Sequence, residues 1–186
     1  MSVQARRERE RARRQQLIIT TARDLAEAEG WDAVTTRRLA QLIEYSQPVL
    51  YSHFAGKDAI VGAVALEGFA ELAAELGRRR GLEPLVRAYV DFAEANPAVY
   101  DAMFTLSTPL RFAQEETPEP MKAGFNAILE VLRPLAGEKD LGIFTEVVWS
   151  ALHGQVMLTR GGRTPKESQR KRLAMFVDLV HAGAVA

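Results

Sequence analysis

The stretch EYSQPVLYSHFAGKDAI, residues 44–60, crowds Ser46, Gln47, Tyr51, Ser52, His53 and Lys57 together with no acid between Glu44 and Asp58. Hydroxyl, amide, imidazole and ammonium groups at such spacing serve either proton transfer or recognition of a surface rich in hydrogen-bond acceptors. Catalysis is poorly supported. The three histidines, at 53, 153 and 181, are far apart, and there is no H-E-x-x-H pair, no Gly-rich phosphate loop after a strand and no G-x-S-x-G elbow. With zero Cys, disulfides and thiolate chemistry are excluded.

The elements that hold these groups read as helices. Ser46 is an N-cap and Pro48 is tolerated in a first turn, so a third helix is expected over Gln47–Phe54. At about 100° per residue, Leu50 and Phe54 project together toward a core, Pro48, Val49 and Ser52 project roughly opposite, and Tyr51 and His53 flank that strip. An α-helix fits the major groove of B-DNA, its tip meeting base edges and its flanks the phosphate walls. Lys57, at the start of a fourth helix, adds a cation and first-turn N–H groups suited to a phosphate oxygen. Equally, Tyr51 and His53 could simply top a small hydrophobic cluster. A short second helix precedes, capped by Thr35 or Thr36, with Leu39, Ala40 and Leu42 or Ile43 inward; Ala40, four residues before Glu44, allows close helix crossing. Before it, a helix from about Ala5 to Glu29 carries the apolar face Leu17, Ile18, Thr21, Leu25 and Ala28. Gly30 supplies a left-handed end there, and Trp31 is placed to fold back on Leu25 or Ala26. Residues 1–14 carry six arginines against two glutamates, a local balance of +4 in a chain of net charge zero. This basic arm reads either as a DNA-side extension or as a solvated helix end laced with Glu–Arg pairs.

The rest is also helical: apolar residues recur at helical spacing and no stretch alternates as a half-buried strand would. A long fourth helix spans roughly Lys57–Arg79 with Ile60, Val64, Phe69, Leu72 and Leu76 inward. Pro84 opens a fifth, Asn96-Pro97 caps a sixth, and residues 107–120 form a proline-punctuated acidic loop ending where Thr117-Pro118 starts a seventh. Two more cover about Asp140–Arg160 and Pro165–Ala182, with the basic segment 159–172 read as solvated surface. The expected fold is all-α, about nine helices, divided into a DNA-binding part (1–57) and a regulatory part (58–186). No apolar run reaches the roughly 18 residues of a spanning helix, and the N-terminus lacks the apolar core of a signal peptide, so a cytoplasmic protein with no membrane partner is expected. No cofactor or metal is expected.

Residues 17–66, above all T-T-R-R-L-A at 35–40 and L-Y-S-H-F-A-G-K-D-A-I at 50–60, resemble the DNA-binding domain of TetR-type transcriptional regulators. The resemblance implies an all-α homodimer that binds a palindromic double-stranded DNA operator and releases it when a small-molecule effector enters the C-terminal domain. Carried over by position, Thr36, Tyr51, His53 and Lys57 are implied phosphate contacts, Gln47 and Val49 base-reading positions, and Arg37 either. Tyr45, Ser46, Pro48 and Ser52 complete the DNA-side set. One departure stands out: the family usually has Ala-Gly-Val in the turn, where this chain has Ile43-Glu44-Tyr45, so a non-glycine residue takes the left-handed position or the turn differs. Residues 89–104 and 147–154 resemble the C-terminal domain named for its Trp-His-Gly segment, over roughly 82–182.

Trp149 and His153 lie four apart on one helix face. They line a ligand pocket, His153 orienting a mostly apolar effector, or they are core with His153 bonded to a backbone carbonyl. Phe92, Tyr100, Met103, Phe104 and Phe125 are candidate pocket walls or plain core. Phe144, Val148 and Leu152 of the eighth helix and Phe176, Val177 and Val180 of the ninth are expected at a four-helix dimer interface, or else buried inside one subunit. The fourth helix, starting beside the DNA-side residues, is expected to act as the lever that carries the effector signal.

Overall fold

The first apolar stripe of the chain settles how the N-terminal half is assembled. Ile18, Ile19, Ala22, Leu25 and Ala26 form a continuous buried set on helix α1 (Val3–Glu29) in a computed structural model that describes residues 3–185. Residues 1 and 2 of the basic arm lie outside the described residues. Leu17 and Ala28 are exposed, which corrects the expected face; the observed stripe is broader and turned away from Leu17, and its alanines allow close approach by neighbouring helices. Gly30, at φ 83°, ends α1, and a 3-10 turn at Trp31–Ala33 follows.

Helix α2 (Thr36–Leu42) is capped by Thr35, whose hydroxyl accepts from Arg38 N at 3.2 Å. Its buried residues are Leu39 and Ala40, with Ile43 beyond its end, whereas Leu42 is exposed. Helix α3 (Gln47–Tyr51) buries Leu50 and is followed by α4 (Lys57–Gly77), in which Ile60, Val64, Phe69, Leu72 and Leu76 are all buried. Then come α5 (Leu82–Ala95), α6 (Pro97–Phe104), α7 (Glu119–Leu132), α8 (Leu141–Arg160) and α9 (Gln169–Val185), with short 3-10 turns before α8 and α9. Among the described residues there are nine α-helices and no strand.

Two compact units emerge. The first joins residues 1–68 to 96–118, so α6 and the following loop are grouped with the helices around α3. Several bonds secure α6 to α1: the Glu27 carboxylate accepts from Ala98 N and Val99 N, each at 3.1 Å, Arg23 donates to Asn96 Oδ1 at 2.9 Å, and Trp31 Nε1 donates to Ala98 O at 2.8 Å. The carboxylate satisfies two first-turn amides of α6 that have no intrahelical acceptor, and its charge suits the positive end of that helix. Gly68 of α4 lets α6 pack tightly, since an added Cβ there would lie 2.4 Å from Val99 Cγ1.

The second unit comprises residues 69–95 and 119–186, and α5 packs on α7, α8 and α9 within it. Helix α8 is long and apolar enough on average to cross a membrane by length and composition alone, but Glu146, Ser150, His153 and Gln155 interrupt it, so it is not a continuous apolar run. Much of its apolar surface is exposed, Ile143 and Val147 at 62% and 61%, and so are Met175 and Leu179 on α9.

Candidate nucleic-acid interface

The connection between α2 and α3 solves a backbone problem with a residue not made for it. Tyr45 N donates to Ala40 O at 2.9 Å and Glu44 N to Gln41 O at 3.3 Å, the paired bonds of a Schellman helix end, with Glu44 at the left-handed position, φ 57°. Of the two alternatives left by the missing glycine, the turn keeps its shape and Glu44 takes the strain, on the order of 1 kcal/mol. The turn sets α3 against α2, where Thr36 Oγ1 and Tyr51 OH are 3.3 Å apart.

Helix α3 is shorter than the expected Gln47–Phe54. It stops at Tyr51 because Ser52 bonds back, its hydroxyl donating to Val49 O at 2.6 Å, and Leu50 O then accepts from both His53 N and Phe54 N. Leu50 and Phe54 are still both buried, so the inward side matches the expectation. Ser46, Gln47, Pro48, Tyr51 and Ser52 are exposed, as is Arg37 on α2; Thr36, Tyr45, Val49, His53 and Lys57 are half-buried. The eleven DNA-side candidates thus lie in one segment, α2 to the start of α4, with Leu39, Ile43, Leu50 and Phe54 buried beneath it and Leu42 exposed.

Two of these residues carry constraints that sequence reasoning missed. Lys57 Nζ donates to the Trp31 carbonyl, which ties the start of α4 to the end of α1. An ammonium group has three donors, so this bond orients Lys57 and leaves capacity for an anion. His53 has a buried Nδ1 with no hydrogen-bond partner among the described residues, and its pKa is held below 6.5 first by burial and then by the nearby charges of Arg11 and Arg14. Arg11 donates to the Ser52 carbonyl at 3.4 Å. The basic arm is thus part of α1 and reaches the end of α3.

The candidate effector residues fall into both units. Phe92 on α5, Phe125 on α7 and Trp149 and His153 on α8 lie on three mutually packed helices of the second unit. Trp149 Nε1 donates to Tyr89 OH at 3.1 Å, a partner that sequence reasoning did not name because a fully buried Tyr on α5 looks like plain core. Burial, then Arg160, lowers the pKa of His153. Tyr100, Met103 and Phe104 belong to the first unit, where Tyr100 and Met103 are buried and the Tyr100 and Phe104 rings stack tilted at 4.7 Å. A recess of about 420 Å³ between α5 and α9, walled by Glu83, Val86, Asp91, Arg170, Leu173 and Val177 among others, contains none of the seven candidates.

Val148, Leu152, Val177 and Val180 are buried within the single chain. Their side chains are covered by their own subunit, which is the other reading of these stripes. Phe144 and Phe176 are half-buried. The apolar residues left outward on the same two helices are Ile143, Val147 and Leu158 on α8 and Met175 and Leu179 on α9.

The model of the bacterial regulatory proteins of the tetR family matches residues 18–64, and that of the tetracyclin repressor-like C-terminal domain matches residues 82–182. A transcriptional regulator of Bacillus subtilis strain 168, YobS, is 34% identical over 95 residues, 47% of this chain and 50% of that protein. The chain thus spans about half of that relative. The class A tetracycline repressor from transposon 1721 of Escherichia coli is 28% identical over 148 residues, 67% of this chain and 68% of its own length. A solved structure from Rhodococcus sp. RHA1, 22% identical, has the same fold with a TM-score of 0.75, covering 91% of this chain and 94% of that one. With one model lying over the α2–α3 segment and another matching more than half of the sequence, the chain belongs to the tetR family of regulatory proteins, whose members control transcription.

Proposed function

We propose that this chain is a homodimeric repressor that holds a palindromic operator with α3 in the major groove and is released by a small-molecule effector. The observation that carries the DNA-binding step is the segregation of the α2–α3 segment: Leu39, Leu50 and Phe54 inside, and Arg37, Ser46, Gln47, Tyr51 and Ser52 outside, with Glu44 in the turn the segment's one acid. Gln47 and Val49 at the tip face base edges, where a Gln pairs adenine and an aliphatic group meets a thymine methyl. Thr36, Tyr51, His53 and Lys57 serve the phosphates, with Arg37 at either. The linked Thr36 and Tyr51 hydroxyls hold each other in position for that task. Tyr45, Ser46, Pro48 and Ser52 complete the contact surface.

Dimerisation runs through α8 and α9, using the outward stripes Ile143, Val147, Leu158 and Met175, Leu179. Ile143, Val147 and Leu158 fall within a sector of roughly 60° at about 100° per residue, the narrow seam expected of a four-helix bundle. A partner's helices would also account for why so apolar a helix as α8 is left uncovered in one chain.

The effector site is assigned to the second unit, among Phe92, Phe125, Trp149 and His153, with the Tyr89–Trp149 bond as its polar neighbour. That a relative is named a tetracycline repressor supports a small-molecule signal without identifying it for this chain. Helix α4, unbroken over 21 residues or about 31 Å, is the lever assigned to carry it.

Selection of bound duplexes from a random DNA pool tests this reading. An inverted repeat with half-site centres about one helical turn or a multiple apart is expected. Absence of any enriched sequence overturns it.

A further inference from the structure

The buried stripe of α1 does not stop where its apolar residues do. Traced backward from Leu25 through Ala22 and Ile18 at helical spacing, the same side of the helix continues as Arg14, Arg11 and Arg7. A side that is core for the C-terminal half of α1 is therefore cationic for the N-terminal half, and all three arginines are exposed. Of the other three arginines, Arg9 and Arg13 point roughly the opposite way and Arg6 to one side.

This cationic side is held beside α3. Arg11 donates to the Ser52 carbonyl, which lies just past the end of α3, and the charges of Arg11 and Arg14 both act on His53. Arg14 pairs with Glu10 at 3.1 Å, but both side chains are about half exposed, so a phosphate can exchange for the carboxylate at little cost. Beyond Arg11 the helix runs on to Val3, roughly 12 Å of further rise, equal to about three or four base pairs at 3.4 Å each.

We propose that residues 3–14, the basic overhang of α1, form a second DNA-contacting element that lies along the phosphates flanking each half-site. Arg7 and Arg14 are its contacts and Arg11 is its tie to α3. The assignment rests on the reading of α3 as the groove helix. The ligand is duplex DNA because the side offers cations in a regular row beside the polar face of α3, and between Arg7 and Arg14 it exposes no large apolar residue for a protein partner to cover. Such contacts widen the footprint without reading sequence, since they meet only the backbone.

The test compares two duplexes with two variants of the full chain. One duplex carries the selected palindrome within about 40 base pairs, and the other is trimmed flush with it. Arg7→Gln with Arg14→Gln is measured against Arg9→Gln with Arg13→Gln, which removes the same charge from the other side; Gln keeps helix propensity, and circular dichroism confirms it. On the long duplex the first variant should lower the slope of log K against log salt by about 3 to 4 units for a dimer, with no change on the trimmed duplex and little change for the second variant. An unchanged slope on the long duplex overturns the assignment. So does an equal fall for the second variant, which would mean diffuse charge, or an equal fall on both duplexes, which would place the contacts inside the half-site. If the unaltered chain binds neither duplex, the reading of α3 itself fails along with this one.

Discussion

The two compact units place their polar groups in opposite ways. In the first, the distinctive polar side chains, Arg37, Ser46, Gln47, Tyr51 and Ser52, are exposed on one short segment, and the interior beneath them is aliphatic and aromatic. In the second, the distinctive ones are turned inward: Trp149 bonds to the buried Tyr89, the Thr145 hydroxyl donates to Leu141 O at 2.7 Å, and His153 is half-buried, while α8 and α9 expose Ile143, Val147, Leu158, Met175 and Leu179. The contrast is the one the proposed partners would require. A polyanion would be met at a surface by donors and cations, a small effector by a largely apolar interior, and a second copy of the chain by outward aliphatic residues. Surface and core thus exchange roles between the units.

The sharpest way to break that comparison is to put an acid on either side of the α8–α9 wall. Val177 is buried, so Val177→Asp should strand a carboxylate in the interior and destabilise the fold by about 3 to 5 kcal/mol, read as a collapse of the urea midpoint. Val147→Asp faces outward and should leave the helical content intact, but yield monomers by sedimentation and weaken operator binding on the order of 100-fold through loss of the paired heads. A Val147→Asp variant that stays dimeric removes the proposed seam.

Glycine substitutions probe packing in the two units on a smaller scale. Gly68→Ala should cost about 1 to 3 kcal/mol, because its Cβ would stand 2.4 Å from Val99 Cγ1 and 2.8 Å from Met103 Sδ. Gly124→Ala on α7 meets nothing within 4 Å and should instead stabilise by about 0.4 to 1 kcal/mol. Opposite shifts in denaturant midpoint are the expected result, and a shift of one sign for both would show that the α4–α6 contact yields more readily than its distances imply.

Within the DNA-side segment the expected effects divide by role. Gln47→Ala should relax preference at one position in each half-site by about 1 to 3 kcal/mol, while Lys57→Ala should weaken binding evenly across sequences and reduce the salt slope by about one unit per subunit. Quantitative competition among operator variants distinguishes them. Uniform weakening by Gln47→Ala would move that residue to the backbone-positioning group.

What the sequence made legible follows the same division. Helix starts and stops were readable near Gly30, Ser46 and Asn96-Pro97, since such residues are local signals, although the Ser46 and Asn96 side chains form no cap bond; the cap of α8, Asp140 Oδ1 accepting from Ile143 N at 2.9 Å, went unread. The polar side of the α2–α3 segment was readable because helical spacing puts Leu50 and Phe54 together on the buried side and leaves Gln47, Tyr51 and Ser52 exposed. Which of the α8 and α9 stripes is covered inside one chain was not readable, because Val147 and Val148 are adjacent and equally apolar, and a helical period cannot tell a face covered by its own subunit from one covered by another. The ties of Lys57 to Trp31 and of Glu27 to α6 were invisible for a different reason. Their partners are backbone groups distant in sequence, a carbonyl for Lys57 and two amide N–H groups for Glu27, and no side-chain pattern marks either.

Glu44 offers a smaller and opposite effect. Its left-handed backbone is strained for a residue with a Cβ, so Glu44→Gly should stabilise the first unit by roughly 0.5 to 1 kcal/mol net of the added freedom of the unfolded chain. Unchanged operator affinity should accompany the gain, because the Schellman bonds that set α3 against α2 would persist. Loss of affinity would show that Glu44 does more than hold the turn.

The smallest expected effect is a pH dependence shared by both units for different reasons. His53 is held below 6.5 mainly by burial, helped by Arg11 and Arg14; His153 is held below it mainly by burial, helped by Arg160. In each case the unfolded chain takes up a proton more readily than the folded one. Above pH 6.5 both rings are neutral in both states and no stability is lost; as pH falls below 6.5 toward the depressed folded values, the unfolded chain binds more protons and stability declines. Urea midpoints should therefore drop between pH 7.5 and pH 5.5, and His53→Gln with His153→Gln should flatten that drop. The contributions separate by the arginines: Arg14→Gln should raise the folded pKa of His53 alone and Arg160→Gln that of His153 alone, as followed by imidazole proton shifts. Operator DNA adds a further distinction. If His53 serves a phosphate, bound DNA should favour its protonated form and raise its pKa, leaving His153 where it was. A His53 resonance indifferent to DNA would return that residue to the small cluster beneath Tyr51, and the polar face of the first unit would lose one of its phosphate contacts.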